Sequence, residues 1–199
     1  MKKRVILVGK AASGKDYARK ICEQWFGLNY AISYTTRPPR EEEVHGRDYF
    51  FLTEEEFRAM IVRNEWYEYV EFNGWCYGTT KVQMEANGNV FIMTPKGMSH
   101  LSVEDRRESI VIYFEIDEDI RRSRMNARAG NADSVERRIE ADRIDFELFA
   151  NYDHKVTDPF YKIRDLYALL DKSIDMPNKD KFFHDLDDSL IKKYNISAN

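Results

Sequence analysis

The sequence predicts an α/β chain in which a parallel sheet is covered by helices. Three observations carry that expectation. The apolar run Arg4-Val5-Ile6-Leu7-Val8 enters Gly9-Lys10-Ala11-Ala12-Ser13-Gly14-Lys15, and Tyr17–Phe26 then reads as a helix. Two later strand-like stretches, 90–94 and 109–116, carry the continuous apolar runs Val90–Met93 and Ile110–Phe114 and alternate with helical stretches. Such runs mark strands buried on both faces, as in a helix-covered parallel sheet. Between the first helix and these runs, residues 34–80 are dense in aromatics and rich in strand-like stretches, which reads as a small mixed lobe inserted in the frame.

The first element is the most specific. Strand, G-x-x-x-x-G-K and helix together form a phosphate-binding P-loop in its required context. Glycines allow the turn, and backbone N–H groups converge on phosphate at a helix N-terminus. Gly9, Ala12, Ser13, Gly14, Lys15, Asp16 and Tyr17 are the expected triphosphate-binding residues, with Lys15 reaching the β/γ-phosphates. An unliganded glycine-rich turn is the alternative, and the full spacing with its lysine argues against it. One position departs from the motif: Asp16 stands where a Mg²⁺-holding Ser or Thr is usual.

The remaining elements follow in order. Residues 28–33 read as a short strand. Pro38 and Pro39 exclude a helix over 34–40 and hold Arg37 and Arg40 on a stiff loop, a geometry suited to gripping phosphate. A solvated basic turn is the alternative. Residues 48–52 read as a strand. Thr53 and Glu56 form a capping box for a helix over about 54–63. Residues 66–72 alternate as a strand, Asn73-Gly74 is a hairpin turn, and 75–78 return. A helix over about 80–86 stops at Asn87-Gly88, and strand 90–94 ends at Pro95, with a short helix after 96–98.

From 117 to 152 the pattern is helical and rich in arginine, with Arg121, Arg122, Arg124, Arg128, Arg137, Arg138 and Arg143. Gly130-Asn131 breaks it, and Asp133-Ser134-Val135-Glu136 restarts it with a second capping-box pattern. Two such helices on a glycine hinge read as a lid over polyphosphate, against the alternative of a solvated helical hairpin. Strand 154–157, an amphipathic helix over 160–170 and a polar extension with a further helix over 179–194 complete the chain. The expected division is a core of 1–33 and 81–170, a lid of about 117–142, an inserted lobe of 34–80 and an extension of 171–199.

Composition sets bounds. The chain has 199 residues, 43% hydrophobic and 33% charged, with net charge −4, which argues against a nucleic-acid-coating protein. No apolar run approaches a membrane span, and the run after Met1-Lys2-Lys3-Arg4 is too short for a signal peptide. Cys22 and Cys76 have no metal spacing, and His45, His100, His154 and His184 are scattered, so no zinc site is expected. A cytoplasmic location with reduced thiols is expected. The sequence does not choose between monomer and homodimer.

The order of motifs resembles the guanylate kinase family over about residues 4–170. The resemblance rests on Ser33-Tyr34-Thr35-Thr36-Arg37-Pro38-Pro39-Arg40, on Gly46-Arg47-Asp48-Tyr49-Phe50, and on Glu68 followed by Gly74-Trp75-Cys76-Tyr77-Gly78-Thr79. It implies a P-loop NTPase fold with an inserted nucleoside-monophosphate-binding lobe and a helical, arginine-rich lid. It implies phosphorylation of GMP or dGMP by ATP with Mg²⁺. Arg37, Arg40, Tyr49 and Tyr77 would hold the acceptor phosphate. Glu68 would accept from guanine N1 and N2, with Ser33 and Thr79 at the O6 and N7 side. Lys15, Arg128 and Arg138 would stabilise the transferring phosphoryl group.

Departures from the family pattern accompany the match. Acidic positions of the strand before Gly97 become Ile92 and Thr94, and the Asn-Asp near the last strand becomes Thr157-Asp158. The P-loop ending Ser-Gly-Lys-Asp also resembles phage-type deoxynucleoside monophosphate kinases. Asp16 is a candidate ligand for Mg²⁺, directly or through water, since carboxylate and water suit that ion; repulsion of the phosphates is the opposite outcome. Two alternatives stand beside the guanylate kinase reading. One is a kinase of broader or modified-guanine deoxynucleotide specificity. The other is a catalytically inactive, peptide-gripping module, against which Lys15, Arg128 and Arg138 argue.

Overall fold

Strand β1 (Arg4–Gly9) is the centre of a five-stranded sheet ordered β2-β7-β1-β8-β9. The computed structural model describes residues 2–72, 74–86, 89–127 and 134–176. The flanking strands are β2 (Asn29–Tyr30), β7 (Asn89–Met93), β8 (Ser109–Phe114) and β9 (His154–Val156). Every pairing in this sheet is parallel, with Val5 opposite Val90 on one side and Ile110 on the other.

Both faces are buried, which is why β1 reads as an unbroken apolar run. Val5 and Leu7 pack with Ile21, Phe26, Leu166 and Leu170, so helices α1 (Lys15–Phe26) and α8 (Ile163–Leu170) cover one face. Ile6 and Val8 pack with Phe91, Met93, Met98, Tyr113 and Phe146 on the other. There lie α4 (Pro95–Met98) and the end of α7 (Val135–Phe146). Fully burying one such side chain stabilises by roughly 1.5–3 kcal/mol. Ile174 and Met176 join the first face, and the Lys2 N–H donates to the Ser173 carbonyl at 2.7 Å.

A second sheet, ordered β4-β3-β6-β5, is built from β3 (Tyr34–Thr35), β4 (Phe50–Phe51), β5 (Trp66–Phe72) and β6 (Trp75–Thr80). β3 pairs with β4 in parallel and with β6 antiparallel, while β5 and β6 form the hairpin. Its own core is Phe57, Met60 and Trp66, with Phe57 and Trp66 stacked at 4.2 Å between ring centres. Helix α2 (Glu54–Val62) brings Phe57, and its capping box is formed: Thr53 Oγ1 accepts from the Glu56 N–H, and Glu56 accepts from the Thr53 N–H.

Several boundaries differ from the sequence expectations. The strands expected over 28–33 and 48–52 shrink to two residues each, because the prolines and the charged loop between them leave few backbone groups to pair. Pro95 does more than end a strand: with Thr94 as cap it opens α4, where its missing N–H costs nothing. Helix α3 is Lys81–Glu85, capped by Thr80, and α5 is Val103–Arg107. Asp133 of the second lid box lies outside the described residues. Ser134 is the cap, its Oγ accepts from Arg137, and Glu136 pairs with Arg122 at 2.8 Å. The expected 117–152 helical span resolves into α6 (Glu118–Asn126) and α7. Asn73, the Asn87-Gly88 stop, the Gly130-Asn131 hinge and the 179–194 helix lie outside the described residues.

Candidate active site

A cavity of about 220 Å³ takes its walls from both sheets and from α7. The P-loop contributes Gly9, Ala12, Lys15 and Asp16. The second sheet and its approach contribute Ser33, Arg40, Tyr49, Glu68 and Tyr77, and α7 contributes Arg138, Asp142 and Asp145. Residues far apart in the chain meet here because β1 ends at the P-loop and the lobe's hairpin faces it.

Gly14 caps α1 at φ +99°, a left-handed conformation that strains any side-chain-bearing residue. Its carbonyl accepts from the Tyr161 hydroxyl at 2.7 Å, which ties the loop after β9 to the P-loop. Lys15 Nζ donates to the Gly9 carbonyl at 2.6 Å and the Lys10 carbonyl at 2.9 Å, so its ammonium rests inside the loop it serves. Ser13 Oγ is buried and has no hydrogen-bond partner among the described residues. A buried orphan hydroxyl in a phosphate cradle fits a phosphate oxygen as its missing partner.

Glu68 sits on β5 with 7% of its surface exposed. Burial pushes its carboxyl up to about 7, while hydrogen bonds from the Thr79 side chain and backbone pull the other way. Thr79 therefore reaches the site through Glu68 rather than through the cavity wall. Opposite lies Gly97, where an added Cβ would stand 3.0 Å from Glu68 Oε2. Glycine there leaves the carboxylate its room. Ile92 and Thr94 line the same cavity, and Thr94 Oγ1 is engaged as the α4 cap, accepting from the Gly97 N–H at 3.0 Å.

Arg37 and Arg40 do not play equal parts. Arg40 lines the cavity. Arg37 is 6% exposed and does not; its Nη2 donates to both Glu43 oxygens at 2.8 Å, and its Nη1 donates to the Pro38 carbonyl. Glu43 also accepts from the Arg40 backbone N–H at 2.8 Å and from Arg40 Nη1 at 3.2 Å. The Arg37 guanidinium lies 5.5 Å from the Tyr49 ring centre. Ser13, Gly14, Tyr17 and Thr79 likewise lie off the cavity wall, and Arg128 lies outside the described residues.

The lid arginines also divide. Arg121 is 1% exposed and paired with Asp142 at 3.0 Å, a structural placement rather than a free-swinging one. Arg124 donates to the Ala12 and Pro159 carbonyls. Arg138 reaches the cavity. Burial raises the Asp142 carboxyl, opposed by the Ala11 N–H, Lys15 and Arg121.

Among the described residues there is no cluster of three or more His, Cys, Asp or Glu able to hold a metal alone. Mg²⁺ is commonly held by one or two carboxylates together with substrate phosphates. Asp16, on the cavity wall beside Lys15, fits that donor set.

The guanylate kinase family model matches residues 1–166. The chain belongs to the guanylate kinase family. A guanylate kinase of Geobacter metallireducens is 35% identical over 144 residues, covering 68% of this chain and 70% of that one. One of Geobacter sulfurreducens is 36% identical over the same shares. The crystal structure of guanylate kinase from Anaplasma phagocytophilum superposes with TM-score 0.66 at 16% identity, over 98% of this chain and 97% of that one, a likeness of fold. The parallel sheet and the P-loop at the end of β1 are thus those of the guanylate kinase fold.

Some residues of the site carried no sequence signal that singled them out. Glu43 lies three residues after Arg40, a spacing that invites pairing, but it stands in a run of three glutamates. Asp142 and Asp145 are spaced i, i+3 on α7 and follow Arg138 by i+4 and i+7, so one helix face carries all of them.

Proposed function

We propose that this chain transfers the γ-phosphoryl group of ATP to GMP or dGMP, giving ADP and the nucleoside diphosphate. The observation that carries the reading is the shared cavity, in which P-loop Lys15 and acceptor-side Glu68, Arg40, Tyr49 and Tyr77 face one space. In this reading 1–33 and 81–170 form the core, 34–80 the acceptor lobe and about 117–142 the lid.

Glu68 accepts from guanine N1–H and the N2 amine. Adenine offers neither donor, so it leaves a buried carboxylate unpaired, at a cost of about 1–3 kcal/mol or more. Ser33 serves the O6 and N7 side, and Thr79 holds Glu68 in place by hydrogen bonding to it. Arg40, Tyr49 and Tyr77 hold the acceptor phosphate, and Arg37 aligns them from behind through Glu43. Phosphoryl transfer asks the protein for in-line placement and positive charge, which Lys15, Arg138 and Arg128 supply. No general base is needed, since the acceptor oxygen is already anionic. Asp16 is the residue that would hold Mg²⁺, which when bound neutralises phosphate charge.

A broader deoxynucleotide acceptor range is the second reading. Ile92 and Thr94 favour it, because these two lining positions add no carboxylate to that of Glu68. ADP release measured with each common ribo- and deoxynucleoside monophosphate tests both. Turnover confined to GMP and dGMP supports the first reading, comparable turnover with other bases supports the second, and none with any acceptor overturns both.

A further inference from the structure

Helices α6 and α7 rest on the crest of the P-loop and grip one of its residues from both sides. The Ala11 N–H donates to Asp142 Oδ2 at 2.9 Å, and the Ala11 carbonyl accepts from Arg121 Nη1 at 3.4 Å. Arg121 and Asp142 pair with each other at 3.0 Å, and Arg121 Nε donates to the Ile116 carbonyl at 3.1 Å. The arginine is 1% exposed and the aspartate 4%. Around this clamp, Ala12 packs with Met125 of α6 and Ile139 of α7.

A buried ion pair gains little net stability, because desolvating two charges offsets their attraction. What it does secure is geometry, since each charge must stay where the other satisfies it. Here the geometry secured is that of α7 against the P-loop. Asp142 and Arg138 lie four residues apart, about one helical turn, on one face. Both line the cavity into which Lys15 and Asp16 open. Where Asp142 grips Ala11 therefore fixes where Arg138 stands relative to the P-loop.

We infer that Asp142, held by Arg121 and Ala11, is a positioning residue that sets Arg138 against the phosphoryl group being transferred. This rests on Arg138 acting as a charge-stabilising group. Misplacing such a group by about 1 Å can cost about a hundredfold in rate.

The test compares kcat and both KM values for the full chain and for D142N, D142A, R138A and D142A/R138A, with thermal midpoints alongside. D142N keeps an oxygen for the Ala11 N–H and guards against an unfolded D142A. The expected result is a roughly 10- to 100-fold loss of kcat in D142A, with KM for both nucleotides within about threefold. D142N falls between D142A and the parent. The double variant is no slower than R138A, because a group acting through Arg138 has nothing left to position. Multiplied losses in the double variant overturn the inference while leaving Arg138 its role. An R138A enzyme of full activity overturns the role of Arg138, and the inference with it. A D142N enzyme with lowered KM for ATP also overturns it, since the carboxylate would then be competing with phosphate for the Ala11 N–H.

Discussion

Arg37 Nη2 stands 2.8 Å from each oxygen of Glu43, and the same carboxylate receives the backbone N–H and the guanidinium of Arg40. One acid thus organises both arginines of the R-x-x-R loop. Charge-assisted hydrogen bonds of this kind contribute about 1.5–3 kcal/mol each. Glu43→Ala is expected to raise KM for GMP by about tenfold or more, with a smaller effect on KM for ATP. Steady-state kinetics with each nucleotide varied in turn checks this, and unchanged KM for GMP would remove Glu43 from the acceptor site.

Glu68 gives two pH dependences of opposite sense. Burial pushes its carboxyl up to about 7 in the folded chain, against a reference of 4.5. The proposed contact with guanine N1–H and N2 requires the ionised form, so KM for GMP is expected to rise by up to tenfold per pH unit below about 7 and to level off above it. Stability runs the other way. The folded value is raised, so this group's contribution is fully present below pH 4.5 and is lost as pH rises through 7. Glu68→Gln is expected to flatten both curves, which KM profiles and thermal midpoints from pH 5 to 8 measure, relative to the parent chain.

Asp16 is exposed at the first turn of α1 on the cavity wall, where the motif usually carries a hydroxyl. Asp16→Ser is expected to weaken the apparent affinity for Mg²⁺ by about tenfold, measured as turnover against free Mg²⁺. Equal or higher activity at every Mg²⁺ concentration would show that Asp16 is not a metal ligand.

The lobe's stability hangs on few rings. Phe57 is fully buried against Trp66, and Met60 is the other buried residue of that cluster. Phe57→Ala is expected to cost about 3–5 kcal/mol. Urea unfolding measures it, and a loss under about 1 kcal/mol would mean that the lobe repacks around the gap.

The frame was legible because its signals are local. An apolar run with both parities buried, a glycine loop and a capping Thr53 each state their structure within a few residues. The lining of the cavity was legible where one motif places one residue, as at Lys15 and Glu68. It was less legible where tasks are shared across distance. Nothing near Arg37 in the chain says that it turns from the cavity to Glu43, since that depends on the depth at which the loop sits. Arg121 and Arg138 look alike in sequence, yet one is locked in a buried pair and the other faces the cavity. Their fates are decided by Asp142, which is 21 residues from Arg121.

The sheet order has a consequence for synthesis. β1 emerges from the ribosome first, but its two neighbours, β7 and β8, lie about 85 and 105 residues further on. At about 5–20 residues per second, roughly 5–20 seconds pass before both are made. Until then Val5–Val8 carries two unpaired edges and apolar side chains on both faces, a segment open to wrong partners while its right ones are still being translated. A nascent chain translated past Asp16 but not yet to Asn89 holds the complete P-loop sequence but neither strand that flanks β1.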